Sequence, residues 1–567
     1  MSIDLNSEEI SDLITLIQES YRSTKTGVKR FVEPAAGTLK QATNKTHNIV
    51  FGRRGSGKSS LLRKAAADLT VDRRPIAYID LETFKGHSYP DVLLSVLIQT
   101  FEEFEEWLRT AAINPANKTS FWQNLFGTTP KRSAFNRKAA EKLADKLMEK
   151  KDELNELLFS SDQINIEKTT RNQADVSTTA NVGAKVGHLA AEVNSQVSRG
   201  ENQSAYEETR ETFQKNKVEF LHRHILEYQR IFKEMSELAE GGSYLFLDDL
   251  YYIKRADQAK VIDYFHRIAK GNSLWLKVGT VRHRSTWYIH GDPPYGLKLG
   301  DDTLGINLDL TLEDYTVTKE FLMKILRSFI AEAKIIDVKE ILVDEAIDRL
   351  VLASGGVARD FLGIFDLSIA VSKERGANYR GPKIGQEDVN IAAGRYASTK
   401  MDEFKEDIIG NEGTISLEEA FRRIKEFCIN GVETNLFLLD ITDEKGLAII
   451  QELMDLRLIH KVNSHVTVSG RQGLVFEAYM LDVSAYADMR KKKGFEEIKF
   501  WGGRNEKMRR ASLILKENYL MTKEPPVLPG KDISEDKDIS ESDTTVSDMA
   551  VSKDKKHIRQ LPLNLKI

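Results

Sequence analysis

Residues 47–60 read HNIVFGRRGSGKSS, an apolar strand followed by a glycine-rich turn and the start of a helix. Gly52, Gly57, Lys58 and Ser59 match the phosphate-binding spacing G-x4-G-K-[ST]. Glycines let successive backbone N–H groups turn towards one oxyanion, and the positive end of the following helix adds to the attraction. The alternative is a chance glycine turn, but the apolar strand before it and the helical residues 61–67 after it favour a nucleotide site.

In such a site Lys58 reaches the β- and γ-phosphates, and the Ser59 hydroxyl ligates Mg²⁺. ATP and Mg²⁺ are therefore the expected cofactors. The residues predicted to bind the nucleotide are Gly52, Arg53, Arg54, Gly55, Ser56, Gly57, Lys58, Ser59 and Ser60.

Size and composition indicate a soluble globular protein of several domains. The chain has 567 residues, of which 41% are hydrophobic and 30% are charged. No apolar run approaches the length that spans a bilayer, and the first residues lack the basic and apolar regions of a signal peptide. We therefore expect a cytoplasmic protein without a membrane partner.

The cysteine count and the net charge narrow the possible classes of site. A single cysteine, Cys428, excludes an intrachain disulfide and a cysteine-based metal cage, and its apolar helical surroundings predict a small core residue. The net charge of −4 provides no overall attraction to nucleic acid, so any DNA contact must come from local basic patches.

A second motif, YLFLDD at 244–249, consists of four apolar residues that end in two carboxylates. A strand buried on both faces is apolar throughout and carries acids only at its carboxyl end. We expect Asp248 to hold Mg²⁺ beside Ser59 and Asp249 to orient or deprotonate the attacking water. The alternative is an acidic turn without a catalytic role.

Further apolar runs at 76–81, 274–279 and 305–310 alternate with helical patterns, which predicts a parallel sheet. Thr280 ends one of these strands, where a polar side chain could contact the γ-phosphate or the water. Arg282 and Arg284 follow it and could act in trans on the nucleotide of a neighbouring subunit, or lie at the surface; both alternatives stay open.

The remaining chain divides into segments of different character. Residues 1–46 are predicted as an arm that either closes over the nucleotide base or only packs on the core. The core spans 47–310 and is interrupted at about 111–205 by a helical insertion, whose polar part at 160–204 could be a hairpin or a mobile loop. A helical lid follows at 311–400, where Arg359 stands in the first turn of a helix. Because arginine gains nothing from the positive end of a helix, an anionic partner for Arg359 is expected.

The C-terminal segments are predicted as a winged-helix domain at 405–500, a basic helix at 501–522 and a disordered, Asp-, Ser- and Lys-rich tail at 523–567. The helix at 443–457 carries four carboxylates, so its docking in a DNA groove is unfavourable. The candidate contacts with double-stranded DNA are therefore His465, Arg471, Lys491, Lys492, Lys493 and Arg509.

The phosphate loop, the Leu-Asp-Asp strand end, KVGT at 277–280, GGVAR at 355–359 and the predicted winged helix together resemble one family. It is the AAA+ ATPases of the origin-recognition-complex type, including their prokaryotic relatives, and the likeness covers roughly residues 45–110, 240–380 and 410–485. The resemblance implies an α/β P-loop NTPase (ASCE) fold with a parallel sheet, a helical lid, a helical insertion and a C-terminal winged-helix domain. It also places Thr280 at the family's first sensor and Arg359 at its second.

Two departures from the family bear on the rate of hydrolysis. The family usually has Asp-Glu where this chain has Asp248 and Asp249. The Asp-Asp pair instead resembles the one in the signal-transducing STAND ATPases. Thr280 also replaces the usual asparagine. We therefore expect an ATPase that binds ATP but hydrolyses it slowly.

The resemblance implies a molecular switch that couples nucleotide state to oligomerisation and to engagement of a partner or DNA. Similar bacterial proteins often act beside a separate effector, including in antiviral defence, so a homo-oligomer or a hetero-complex with an effector protein is expected. Two alternatives remain: a DNA-replication initiator or loader, and a STAND-like signalling scaffold with little turnover.

Overall fold

The structure is a computed structural model that describes residues 3–21, 27–71, 74–113, 136–179, 190–239, 241–376, 381–408, 417–487, 494–502, 506–516 and 519–520. For residues 160–179 and 190–213 it describes the backbone alone. The described residues all belong to one unit, Met1–Leu528. The predicted tail at 523–567 and residues 180–189 of the predicted insertion lie outside the described residues.

Five parallel strands form the central sheet, which confirms the predicted α/β class. They are β1 (Asn48–Phe51), β2 (Ile76–Asp80), β3 (Ser243–Asp248), β4 (Leu274–Thr280) and β7 (Leu304–Asn307), in the spatial order β2-β3-β4-β1-β7. Phe51 at the end of β1 pairs with Thr280 on one side and with Asn307 on the other. The carboxyl ends of the strands therefore meet at one edge, which is where open α/β sheets bind their ligands. A short hairpin of β5 (Tyr288–Ile289) and β6 (Tyr295–Gly296) follows β4.

Helices cover both faces of the sheet, which explains why the inner strands β1 and β3 are buried along their whole length without alternation. On one face Val50 and Phe246 pack with Leu61 and Leu62 of α3 (Lys58–Val71), close to α2 (Thr38–Thr43). On the other face lie Ile49 of β1 and the apolar sides of α4 (Asp91–Ile113) and α7 (Arg255–Ala269).

The insertion consists of two long helices, α5 (Arg137–Thr179) and α6 (Ala190–Leu238). Leu143, Leu147 and Leu154 of α5 are buried in the core that α4 and the end of α6 also line. The insertion therefore packs onto the sheet domain through the first half of α5 and the end of α6.

The lid contains α8 (Tyr315–Glu332), α9 (Asp344–Ser354), α10 (Ala358–Arg375) and α11 (Gln386–Ile408). The arm contributes α1 (Glu8–Glu19), whose Ile10, Leu13 and Ile17 are fully buried in the core that the lid helices form. This part of the arm therefore packs on the lid.

The C-terminal module contains α12 (Leu417–Glu426), a π-helical turn at Phe427–Gly431, β8 (Leu436–Asp440), α13 (Glu444–Asp455), β9 (Ile459–Val466), β10 (Phe476–Leu481) and α14 (Val483–Tyr486). Its three strands are antiparallel in the order β8-β10-β9. The strand β8 was not predicted, because its short apolar run is compatible with a buried helix as well as a strand. Cys428 is buried in this core, as predicted.

The segment at 501–522 was predicted to be a basic helix, but its described residues form the 3₁₀ turns Phe500–Gly502, Glu506–Arg509 and Ala511–Leu513. Lys507 and Arg510 both form ion pairs with Glu496. These contacts hold the turns in place where a continuous helix was predicted. In the part of the chain that the structure describes, no helix has both the length and the apolar character to cross a membrane.

Candidate nucleotide site

A cavity of about 1030 Å³ opens at the carboxyl edge of the sheet, between the phosphate loop and the lid. The sheet domain contributes the loop residues 54–60 and the carboxylates Asp80, Asp248 and Asp249. The lid contributes Arg359 and apolar side chains from α8 and α10, and the arm contributes Tyr21 and residues 30–32. The cavity thus joins a polar end at the loop to an apolar end between arm and lid.

The phosphate loop wraps around the Lys58 side chain. Gly55 and Gly57 have φ angles of +79° and +97°, a conformation that glycine adopts without steric cost. Lys58 is only 5% exposed, and its Nζ lies 3.3 Å from the carbonyl oxygen of Arg53. Burial lowers the pKa of Lys58, while the charges of Asp249 and Asp248 raise it. The loop therefore holds a desolvated cation at the floor of the cavity.

Asp248 lies beside the start of helix α3. Its carboxylate accepts hydrogen bonds from the Ser59 hydroxyl, from the Tyr78 hydroxyl at 2.5 Å and from the backbone N–H of Asp249 at 3.0 Å. Gly279 of β4 leaves room for it, because a Cβ there would lie 2.6 Å from Asp248 Oδ1. Burial raises the pKa of the Asp248 carboxyl, and the hydrogen bonds from Tyr78 and Ser59 oppose that change.

Asp249 follows in the left-handed conformation, with φ +56° and ψ +47°. Burial and the neighbouring charge of Asp248 raise the pKa of Asp249 to about 7. A carboxyl group with this pKa gains and loses its proton near neutral pH, which suits a general base.

The Ser59 hydroxyl lies within hydrogen-bond distance of the Asp248 carboxylate. These two oxygen ligands together fit Mg²⁺. Magnesium prefers oxygen ligands and is usually held by one or two protein groups together with substrate phosphates and water. Among the residues that the structure describes, no group of three or more His, Cys, Asp or Glu side chains could hold a metal by itself.

The structure corrects the prediction for Arg53, whose side chain faces away from the cavity and is 4% exposed. Its backbone N–H and its Nε donate to Asp309 Oδ1, at 2.8 and 3.3 Å. Its Nη atoms donate to the carbonyls of Gly355 and Leu310, at 3.2 and 2.8 Å. Arg53 therefore ties the phosphate loop to residues 309 and 310 and to the turn between α9 and α10 of the lid.

Arg359 lies at the start of α10, directly against the phosphate loop. Its backbone N–H donates to the carbonyl oxygen of Gly55 at 3.2 Å, and a Cβ on Gly55 would lie 2.6 Å from that of Arg359. The Arg359 side chain lines the cavity, so the lid is closed onto the loop in this structure.

The structure does not bring Thr280 into the cavity. Thr280 is fully buried, and its hydroxyl forms a short hydrogen bond with that of Ser285. The Arg282 guanidinium stacks on the Phe51 ring at 4.0 Å, and that of Arg284 lies 5.9 Å from the Tyr251 ring centre. The sequence pattern therefore predicted that Thr280 lies at the end of β4, but it did not predict the direction in which the side chain points.

Three of the candidate DNA-contacting residues, His465, Arg471 and Arg509, lie on or beside the β9–β10 hairpin. His465 and Arg471 are exposed, whereas Arg509 donates to the Thr467 carbonyl at 2.9 Å and to its hydroxyl. The residues Lys491, Lys492 and Lys493 lie outside the described part of the chain. At the end of α13, Asp455 accepts the backbone N–H of His283 at 3.0 Å, so this helix end packs against the core.

The sequence did not predict a buried network of charged side chains that includes Asp360, the residue after Arg359. Asp360 of α10 pairs with Arg457 and with Lys400 of α11, whose Nζ lies 3.2 Å from Asp360 Oδ2. Lys400 also pairs with Asp482 at 2.8 Å, and the His460 ring contacts the same carboxylate at 2.8 Å. These five residues come from both the lid and the C-terminal module, and no spacing in the sequence marks them as neighbours.

The solved structures to which this chain is similar include two proteins. The Walker-type ATPase PABY2304 of Pyrococcus abyssi is 12% identical with a TM-score of 0.34, covering 79% of this chain and 93% of that chain. The Aeropyrum pernix Orc1 protein, solved in complex with DNA, is 15% identical with a TM-score of 0.30, covering 86% and 92%. No protein-family model and no curated protein matches the chain. Similarities of this size do not transfer what those proteins bind or do.

Proposed function

We propose that this protein binds Mg²⁺–ATP in the cavity, hydrolyses it slowly, and uses the nucleotide state as a switch, in the manner of an initiator-type AAA+ ATPase. One observation carries the proposal. Lys58 and Ser59 of a phosphate loop meet Asp248, with Asp249 next to it, in a cavity that the lid closes at Arg359.

Each polar group has a distinct role in this mechanism. Lys58 and the N–H groups of the loop bind the phosphates, and Ser59 and Asp248 hold the metal. Bound Mg²⁺ neutralises phosphate charge and orients the phosphates for attack. Asp249 orients the water and accepts its proton, and Arg359 contacts the nucleotide from the lid.

Slow turnover is expected for two reasons that act on the same residue. An aspartate is about 1.3–1.5 Å shorter than a glutamate, and a misplacement of about 1 Å can reduce a rate on the order of a hundredfold. In addition, a carboxyl group with a pKa of about 7 is protonated in part of the molecules at neutral pH. Arg282 or Arg284 of a neighbouring subunit could complete the site on assembly, which would raise turnover.

The nucleotide state can reach the C-terminal module through contacts that start at the loop. Arg53 binds the carbonyl of Gly355, and Asp360 in the first turn of α10 binds Arg457 of the module. A lid that moves with the nucleotide would therefore carry the module with it. We propose that the module is a winged helix and that its hairpin, with His465 and Arg471, engages DNA or a partner protein.

Three biological settings fit this switch, and experiments separate them. An antiphage defence complex requires an effector partner that binds in one nucleotide state. A replication initiator or loader requires duplex DNA binding and DNA-dependent hydrolysis. A STAND-like scaffold requires assembly on ATP with little turnover. Phosphate release with and without duplex DNA, together with the oligomeric state in ATP and in ADP, discriminates among them.

The direct test of the proposed site is Lys58→Ala, measured by equilibrium binding of Mg²⁺–ATP. A charge-assisted contact contributes about 1.5–3 kcal/mol, so the variant should bind about tenfold more weakly or worse. Lys64→Ala is the matched control, because Lys64 lies on the same helix and pairs with Asp68 at 2.8 Å. Equal ATP affinity in the parent and in Lys58→Ala would refute the assignment of the loop.

A further inference from the structure

The two consecutive arginines of the phosphate loop have opposite orientations. Arg53 is buried against Asp309 and the Gly355 carbonyl of the lid, which accounts for its role as a structural tie. Arg54 is half-buried and lines the cavity. The loop therefore presents one of its two guanidinium groups to the space where the phosphates of a nucleotide would lie.

Two tyrosines hold the Arg54 side chain in that position. The Tyr252 hydroxyl accepts a hydrogen bond from Arg54 Nη2 at 2.5 Å, and Arg54 also bonds to the Tyr251 hydroxyl. The Arg54 Cζ atom lies 5.9 Å from the Tyr251 ring centre and 5.6 Å from that of Tyr252. Cation–π contacts at such distances stabilise a guanidinium group that is partly removed from water.

Three cationic side chains lie within 6 Å of the centre of the Tyr251 ring. Lys58 Nζ lies 5.6 Å from its centre, and the guanidinium carbons of Arg54 and Arg284 both lie 5.9 Å from it. Of these three, Lys58 and Arg54 line the adjoining cavity, so both would attract an anion bound there. Tyr251 follows Asp249 by two residues, which places the cluster on the side of the cavity where the water would attack.

We propose that Arg54 contacts the terminal phosphate of bound ATP and that Tyr251 positions its guanidinium for this contact. The inference rests on the proposed function, and it adds a cation supplied by the same chain to the end of the cavity next to Asp249. A guanidinium group at that point stabilises the negative charge that the terminal phosphate carries in the transition state. Tyr251 acts through Arg54 and is a positioning residue.

The test compares the affinities of Arg54→Ala for ADP and for a non-hydrolysable ATP analogue, by calorimetry in the presence of Mg²⁺. Loss of one charge-assisted contact to the terminal phosphate should weaken binding of the analogue about tenfold or more. ADP lacks that phosphate, so its affinity should stay within about twofold. Arg54→Lys should recover part of the difference, because it keeps the charge but loses the bidentate geometry.

The matched control is Lys85→Ala. Lys85 Nζ lies 5.6 Å from the Tyr252 ring centre, the same distance as the Arg54 guanidinium, but Lys85 is exposed and does not line the cavity. The control should therefore keep both affinities of the parent. A fall in the control similar to that in Arg54→Ala would show that the cation–π cluster acts on stability and not on the phosphate.

Tyr251→Leu tests the positioning role. It should reduce the preference for the ATP analogue over ADP, and the double variant with Arg54→Ala should lose no more preference than Arg54→Ala alone. Additive losses in the double variant would overturn the positioning role, since they would mean that Tyr251 acts independently of Arg54.

The outcomes separate this inference from the proposed function. If Arg54→Ala weakens ADP and the analogue equally, the terminal-phosphate contact is wrong while nucleotide binding stands. If the parent protein binds neither nucleotide, both proposals fail. A selective loss of the analogue, absent in Lys85→Ala, is the result that we expect.

Discussion

Lys400→Met should loosen the junction between the lid and the C-terminal module. Lys400 is 2% exposed, and its Nζ is shared between Asp360 at 3.2 Å and Asp482 at 2.8 Å. Methionine has a similar length and removes the charge without a large change in volume. Both carboxylates are 0% exposed; Asp360 then keeps Arg457 as a partner in the network, and Asp482 keeps the His460 ring.

The magnitude follows from burial. Removal of one partner of a buried ion pair costs about 3–5 kcal/mol, because it leaves a desolvated charge without full compensation. If this amount is lost from the free energy of local opening, amide exchange in β10 and α11 should accelerate by roughly two to four orders of magnitude, since about 1.4 kcal/mol corresponds to a tenfold change. Hydrogen exchange followed by mass spectrometry of peptides from these two elements measures this directly.

Lys319→Met is the matched control on the same lid. Lys319 Nζ lies 2.5 Å from Asp348 Oδ1, but both side chains are more than a third exposed. Such a surface pair contributes about 0–1 kcal/mol. If exchange in Lys400→Met accelerates less than tenfold, or no more than in Lys319→Met, the buried network does not join the lid to the module.

Three further predictions concern the site and the module. Asp249 must be ionised to accept a proton, and its pKa is raised to about 7. The rate of phosphate release should therefore fall about tenfold from pH 8 to pH 6. A rate that does not change with pH, or that rises with acidity, would contradict the role of Asp249. Arg359→Ala should abolish the difference in lid protection between ATP and ADP while leaving the melting temperature of the apo protein nearly unchanged, and a lower melting temperature with a normal nucleotide response would make Arg359 structural. Duplex DNA binding, if it occurs, should weaken steeply with salt and should fall in a His465→Ala/Arg471→Ala variant, whereas salt-insensitive binding lost on substitution of exposed residues of α13 would contradict the assignment to the hairpin.

The sheet and the phosphate loop were predictable because their determinants are local. Strands buried on both faces are apolar throughout, so β1, β3 and β4 are visible as short runs that end in glycine or aspartate. The pairing of Ser59 with Asp248 follows from the meeting of parallel strand ends at one edge. These arguments need no information about distant side chains.

The orientations of Arg53 and Thr280 were not predictable, because distant residues determine them. Arg53 turns away from the cavity to reach Asp309 and the Gly355 carbonyl, 256 and 302 positions later in the chain. The Thr280 hydroxyl bonds to Ser285 across a turn whose shape the sequence does not reveal. The buried network around Lys400 is a stronger example, since its members come from separate elements.

The central claim is a division of labour between two adjacent carboxylates, and phosphate release measured beside Mg²⁺–ATP binding tests it most directly. Asp249→Asn should keep the ATP and Mg²⁺ affinities of the parent, because Ser59 and Asp248 bind the metal, and should lose most of the residual turnover. Asp248→Asn should instead weaken the dependence of ATP binding on Mg²⁺. Hydrolysis at the parental rate in Asp249→Asn would show that the second carboxylate does not direct the water, and the proposed mechanism would be wrong.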